Sequence, residues 1–299
     1  MIAAAGPAHA IMMAGSCCAV AKARACLHIH AMSRVPFLSG LCLALALAGG
    51  AQAASSGWHH VEGGSIRIVT SGAPDAAGNL RGALEIRLKP GWKTYWLDPG
   101  ASGVPPTLTA AAGDRDAEVE IGFPSPSRFD DGYALWAGYD RPVSLALTMA
   151  LPDSEDGPTQ LEANVFLGVC ETICIPVQAT LAFDPRNSLG DPADAAVVEA
   201  AFAALPGPAR RDFSASLAEA DEDAIVIAPV LPQGVRALDL FVAGTASLSL
   251  GTPERTGEGG DGAFRVPVSL RTGSGSETVT YTLVTDAGAV TGVIEVPQR

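Results

Sequence analysis

Apolar and polar residues alternate along most of this chain. Leu84, Ile86 and Leu88 mark one such run, followed by Val119, Ile121 and Phe123, and then by Val143, Leu145, Leu147 and Met149. Two more lie close together, Leu161, Ala163, Val165 and Leu167, then Val177, Ala179, Leu181 and Phe183. A period of two places successive side chains on opposite faces of a strand, so each run predicts a half-buried strand. Gly, Pro and Asp separate the runs at intervals typical of a β-sandwich.

The period changes once. Asp191-Pro192 opens a stretch with Val197, Val198, Ala201, Phe202 and Leu205 at helical spacing, which Pro206-Gly-Pro208 closes. An Asp N-cap with Pro in the first turn predicts one short helix, read as a connector. Alternation resumes in Leu238 to Val242, Leu248 and Leu250, Phe264 to Leu270, Val279 to Leu283 and Val290 to Val296, with a Gly-rich loop at 257–262. The predicted class is therefore all-β, with a β-sandwich over 54–188, a helical linker over 189–209 and a second small β-sandwich over 210–299.

Residues 1–53 read as a targeting region. Arg34 precedes an apolar run from Val35 to Ala48, ending in Gly49-Gly50 and the small-residue pattern Ala51-Gln-Ala53. That is the form of a secretory signal peptide, with cleavage expected near Ala53 and translation expected from Met32. The apolar run, about 14 residues, is short of the ~20 that a membrane helix needs.

Removing this region changes the composition. Cys17, Cys18, Cys26 and Cys42, three of the five histidines and three basic residues fall within it, and no acidic residue does. The net charge of −13 then becomes about −16, carried by about 246 residues whose only lysines are Lys89 and Lys93. So acidic a chain has no electrostatic footprint for nucleic acid or for an anionic membrane surface. It is expected in an oxidising compartment.

Cys170 and Cys174 are then the only thiols, within Phe166-Leu-Gly-Val-Cys170-Glu-Thr-Ile-Cys174-Ile-Pro176. Residues four apart on an extended strand are about 13 Å apart, whereas a disulfide needs Cα atoms roughly 4.4 to 6.8 Å apart. A bonded pair therefore requires a turn, and the breaks in alternation place 168–176 at a strand-to-strand connection, the end of a sandwich. So small a ring stabilises by only about 2 kcal/mol through loop closure and suits opening and closing better than stapling. Three readings remain at this point: an exchanging disulfide, a local structural clip, and copper(I) held by the Cys170 and Cys174 thiolates. A closed zinc site needs four ligands. Hydrolysis needs a base beside a nucleophile, and the remaining histidines, His59 and His60, lie together near the expected new N-terminus. No phosphate-binding Gly-rich loop joins a strand to a helix, and no cofactor is expected.

Several further motifs stand in order. Gly91-Trp-Lys-Thr-Tyr-Trp96, Asp98-Pro-Gly100, Ser102-Gly-Val-Pro-Pro106, Phe123-Pro-Ser-Pro with Phe129, and Val169-Cys170 through Cys174-Ile-Pro176 together resemble the periplasmic N-terminal domain of the DsbD/ScsB family of thiol:disulfide interchange proteins. The resemblance covers about residues 58–185, and the cysteine spacing looks closer to the ScsB-like branch.

The resemblance implies an immunoglobulin-like β-sandwich whose cysteines take electrons from a membrane-embedded DsbD/ScsB-type donor and hand them to thioredoxin-like periplasmic proteins. By similarity Cys174 forms the mixed disulfide and Cys170 resolves it. A cap loop is implied over Phe129–Gly138, with Phe129, Asp130, Asp131, Gly132, Tyr133 and Trp136 as its residues, Gly132 and Gly138 as hinges and Tyr133 or Trp136 as the covering ring. Family members continue into a multi-helix membrane domain and a thioredoxin-like domain, so the chain is expected to act as a stand-alone front end, with cytochrome c biogenesis or copper tolerance as contexts. Glu171, beside Cys170, is expected to disfavour a nearby thiolate by like-charge repulsion. Trp92, Tyr95 and Trp96 are expected in the core or at its rim. The alternative to an electron carrier is a non-catalytic interaction module with a structural disulfide.

Overall fold

In the computed structural model, the described residues are 54–297 apart from 73, 101–102, 131, 133–134, 152–159, 186–190, 258–261 and 274. The expected targeting region, Asp131 and Tyr133 lie outside them.

Eleven strands precede the helix: β1 (His59–Val61), β2 (Gly64–Thr70), β3 (Asn79–Leu88), β4 (Lys93–Tyr95), β5 (Thr107–Ala112), β6 (Arg115–Gly122), β7 (Ser127–Asp130), β8 (Leu135–Tyr139), β9 (Val143–Ala150), β10 (Leu161–Cys170) and β11 (Cys174–Phe183). The ladder runs β1-β2-β3-β9-β6-β5-β10-β4-β8-β7, with β11 on the other side of β10. The β5–β6 hairpin carries it from one layer to the other, and the alternating apolar residues meet between the layers. Ile68, Leu80, Leu84, Leu145, Leu147, Met149, Leu161, Leu167 and Phe183 are buried there. This is the all-β, immunoglobulin-like sandwich.

α1 (Pro192–Ala203) starts where expected: the Asp191 carboxylate accepts the Ala193 N–H at 2.8 Å and Pro192 occupies the first turn. It does more than connect. Val198 and Ala201 pack on Val69, Ala83 and Ala146, outward-facing side chains of the first sandwich that are small enough to seat a helix. Arg67 Nη2 reaches Asp194 at 3.1 Å, and Arg81 Nη1 reaches Glu199 at 2.8 Å. Like the strands, α1 therefore buries an apolar stripe and ties its polar face by ion pairs.

Beyond α1 follow β12 (Gly207–Pro208), β13 (Ser214–Ala220), β14 (Ala224–Val230), β15 (Ala237–Ala243), β16 (Leu248–Leu250), β17 (Glu254–Arg255), β18 (Phe264–Arg271), β19 (Glu277–Thr285) and β20 (Gly288–Val296). They form two sheets, β12-β20-β19-β15 and β13-β14-β18-β16 with β17 on β18. Ile225, Ile227, Leu240, Val266, Tyr281 and Leu283 fill the space between them. Phe241 and Ala243 of β15 point the other way and join the core of the first sandwich.

Candidate functional site

Burial along β10 alternates from Leu161 to Leu167 and then becomes continuous through Cys170. Residues 162, 164, 166, 168 and 170 share one face of the strand; its first three members, Glu162, Asn164 and Phe166, are exposed, whereas Gly168 and Cys170 are covered. The cover is a ring cluster of Tyr95 and Trp136 on Cys170, with Val104 and Phe129 against it. Alternation breaks here because side chains from other strands have been laid over the outer face.

A three-residue turn, Glu171 to Ile173, reverses the chain so that Cys170 and Cys174 become direct partners across the β10–β11 ladder, with Cα atoms 4.1 Å apart and the sulfurs joined. The strands run to the cysteines themselves, further than the alternation indicated. The expected turn is the tip of a hairpin at the end of the sandwich, and the two sulfurs differ in access: Cys170 is 7% exposed, whereas Cys174 is an exposed residue beside Ile173, an aliphatic side chain 70% exposed.

Tyr95 is the residue that sequence reasoning undervalued. It is buried, as expected, but its hydroxyl lies 3.0 Å from Cys174 Sγ and 3.1 Å from Cys170 Sγ. Neither sulfur of a disulfide carries a hydrogen, so the hydroxyl is the donor, with its one hydrogen within reach of either sulfur. Two close approaches seat this ring. A Cβ on Gly168 would come within 3.1 Å of Tyr95 Cε2, and one on Gly103 within 3.0 Å of Tyr95 Cδ1. The available signal was the Gly91-to-Trp96 motif, which places β4 beside β10 with Cys170 opposite Lys93 and Val169 opposite Thr94.

The expected cap loop is a hairpin. Phe129 and Trp136 face each other across β7 and β8, stacked at 4.3 Å between ring centroids, and Trp136 meets Tyr95 edge-on at 5.5 Å. Lys93 Nζ sits 5.0 Å from the centre of the Trp136 ring, which places a cation on the face that holds Cys170. Asp130 turns away from the sulfurs and caps the hairpin end, accepting the Gly132 N–H at 2.8 Å, and Gly132 takes the positive φ of +83° that favours glycine. Gly138 is no hinge. It lies inside β8, where a Cβ would be 2.2 Å from the Thr94 carbonyl oxygen, so glycine is what lets β8 run against β4. At the base of β8, Tyr139 donates to the Pro124 carbonyl at 2.8 Å, and burial pushes its hydroxyl pKa far up. Glu171 leans back over the turn before β4, its Oε1 within 3.3 Å of where a Gly91 Cβ would stand.

Among the described residues no group of three or more His, Cys, Asp or Glu could hold a metal ion, and no helix is long and apolar enough to cross a membrane. The chemistry within reach of this arrangement is that of the sulfurs: one accessible, one covered, both touched by a hydroxyl.

Residues 69–185 match the family model described as thiol:disulfide interchange protein DsbD, N-terminal. Among solved structures the chain is similar to the N-terminal periplasmic domain of ScsB from Proteus mirabilis, with a TM-score of 0.67 and 20% identity over 82% of this chain and 98% of that one. At that identity the likeness is one of fold. A tandem of titin immunoglobulin domains aligns over 82% of this chain and 98% of its own with 9% identity and a TM-score of 0.17, too low to carry an argument. No curated protein matches the chain. The match spans β10, the turn and β11, so the stretch that holds Cys170 and Cys174 lies in the part of this chain that is similar to the N-terminal domain of the thiol:disulfide interchange protein DsbD.

Proposed function

We propose that this chain is a periplasmic thiol–disulfide exchange protein that passes electrons from a membrane-embedded reductase to thioredoxin-like partners through Cys170 and Cys174. The observation that carries the reading is the asymmetry of the pair: Cys174 exposed, Cys170 covered by Tyr95 and Trp136. Exchange proceeds by a thiolate attacking one sulfur of a disulfide, and access selects which sulfur.

In the reducing half, a donor thiolate attacks Cys174 Sγ, the bond to Cys170 breaks and Cys170 leaves as a thiolate. The Tyr95 hydroxyl, 3.1 Å from that sulfur, is placed to donate to it as charge develops, and a hydrogen bond to the charged form favours it. The donor's second thiolate then attacks its own sulfur in the mixed disulfide and releases Cys174. Two electrons have entered the pair, and the donor is a disulfide. In the delivering half, the Cys174 thiolate attacks a client disulfide and the client's leaving sulfur departs as a thiolate. Cys170 then attacks Cys174 Sγ, which restores the Cys170–Cys174 bond and frees the client's second thiolate. Phe129 and Trp136 act as the cover that limits adventitious oxidants between these events. Lys93 favours the thiolate state by its charge.

The test is a redox titration of residues 54–299 in glutathione or dithiothreitol buffers, following the cysteine pair. A midpoint well above about −300 mV supports exchange. A midpoint below it, with no mixed disulfide formed with a thioredoxin-like protein, would leave a structural clip in an interaction module. Tight copper(I) binding lost with either cysteine would instead mark a metal carrier.

A further inference from the structure

The cover over Cys170 is held from outside its own sandwich. β7 is the end of the ladder and pairs with β8 alone among the described strands. Its Arg128 crosses to β15: Nε donates to Asp239 Oδ2 at 3.0 Å, and Nη2 donates to Asp239 Oδ1 at 2.8 Å and to the Leu240 carbonyl at 2.8 Å. The same guanidinium lies 4.8 Å from the centre of the Phe241 ring. Both partners of the ion pair are shielded, with side chains 21% and 29% exposed. β15 shifts register between Ala237 and Asp239, and irregularities of this kind re-aim a side chain.

Two further contacts from the same strand region fall beside the redox centre. Phe241 meets Trp96, the neighbour of Tyr95, edge-on at 5.8 Å. Asp98 accepts the Gly244 N–H at 2.9 Å. Residues 239–244 of the second sandwich thus grip the segment that follows Tyr95 and the strand that presents Phe129.

We propose that the second sandwich sets how readily Cys170 of the Cys170–Cys174 bond is reached, through Arg128 and Asp239 as positioning residues that pin β7 and so hold Phe129 and Trp136 over Cys170. The inference rests on reading that bond as the exchanging disulfide. An edge hairpin with one neighbour opens at a low local free energy, and a forked, charge-assisted contact to a second body raises it. Neither residue touches the sulfurs, so the rate of access changes while the equilibrium between dithiol and disulfide does not.

The experiment compares the second-order rate at which iodoacetamide alkylates Cys170 in the reduced full chain, read by peptide mass spectrometry, with that in Asp239→Asn, Arg128→Ala and Arg128→Lys, alongside the glutathione midpoint and thermal unfolding of each. Asp286→Asn, which removes the Arg236–Asp286 pair elsewhere in the second sandwich, is the control. Asp239→Asn and Arg128→Ala are expected to speed alkylation of Cys170 about tenfold, Arg128→Lys less because it keeps the charge without the fork, and the double variant no more than either single one. The midpoint stays in place and the control keeps the original rate. Rates within about twofold of the unaltered chain, or an equal acceleration in Asp286→Asn, overturn the inference. Should the exchange reading itself fail, a midpoint below about −300 mV shows it in the unaltered chain, and alkylation of Cys170 after reduction by a phosphine still ranks the variants. Arg128→Lys serves where Arg128→Ala does not fold.

Discussion

Two hairpins meet over the sulfurs, and they are built differently. β10–β11 is long: ten residue pairs in register, with β10 also bonded to β5 and β4. β7–β8 has four pairs, and only β8 has a further strand neighbour, β4. The first embeds its inward face in the main core, while the second contributes Trp136 and Phe129 to a separate small cluster. A platform that carries a covalent bond between strands needs a fixed register, because a slip of one residue would separate the cysteines. A cover that must yield needs the opposite, few ladder bonds and a stability supplied by contacts that can be broken one at a time.

Removing the platform's chemistry is the largest break. Cys174→Ser should abolish mixed-disulfide formation with a thioredoxin-like protein, and Cys170→Ser should trap it, both read on non-reducing gels. Either loses about 2 kcal/mol of loop-closure stability, visible as a lower denaturant midpoint. Trapping through Cys170 in place of Cys174 would reverse the roles proposed for the two sulfurs.

Glycine substitutions separate the hairpins next. Gly138→Ala forces a Cβ onto the Thr94 carbonyl oxygen and should cost about 1 to 3 kcal/mol while it detaches the cover and speeds alkylation of Cys170 in the reduced chain. Gly168→Ala meets the Tyr95 ring at 3.1 Å instead, a contact that a small ring shift relieves. It should cost less stability and change the potential more than the access rate. Equal effects of the two on the alkylation rate of Cys170 would erase the distinction between platform and cover.

Tyr95→Phe keeps the ring and deletes the hydroxyl. Since that hydroxyl donates more strongly to a thiolate than to a disulfide sulfur, its loss disfavours the dithiol form, and the midpoint should move by roughly 30 mV to more negative values for a ~1.4 kcal/mol difference.

The smallest effect lies outside both hairpins. In the second sandwich the Asp221, Glu277 and Asp286 carboxyls are held below their ordinary range, first by the Ala224 N–H, the Ser247 hydroxyl and the Arg236 N–H respectively. Each binds a proton less readily folded than unfolded, so its contribution is present above the ordinary carboxylate range and is lost as pH falls through it, below about 4. Asp221 and Asp286 are exposed and Glu277 is half-buried, and each effect is modest. Thermal unfolding should soften there first, and Asp286→Asn should flatten part of that slope; an unchanged slope would remove Asp286 from the account.

Much of this architecture was legible beforehand, for a local reason. β3, β9, β10 and β11 stand where alternation placed them because a strand with one buried face repeats every two residues. The Asp191-Pro192 start of α1 was legible because a cap acts within one turn. The segment 129–138 read as a loop because its hairpin is short, β7 has Phe129 as its one apolar residue, and β8 is apolar and buried almost throughout, so neither strand shows alternation. Trp136 and Phe129 were legible as members of the site. Tyr95 looked like a core aromatic because its hydroxyl's partners are 75 and 79 residues away, and Arg128 gave no sign because its carboxylate partner is 111 residues away.

The sequence by itself determined the faces of the strands, the place of the helix and the pair of cysteines at a chain reversal, since each depends on spacing among near neighbours. Only the tertiary structure decided which sulfur is exposed, that one hydroxyl touches both, and that an ion pair joins β7 to the second sandwich. Those are products of long-range register: the order β10-β4-β8-β7 and the seating of β15 bring together residues that no local period relates.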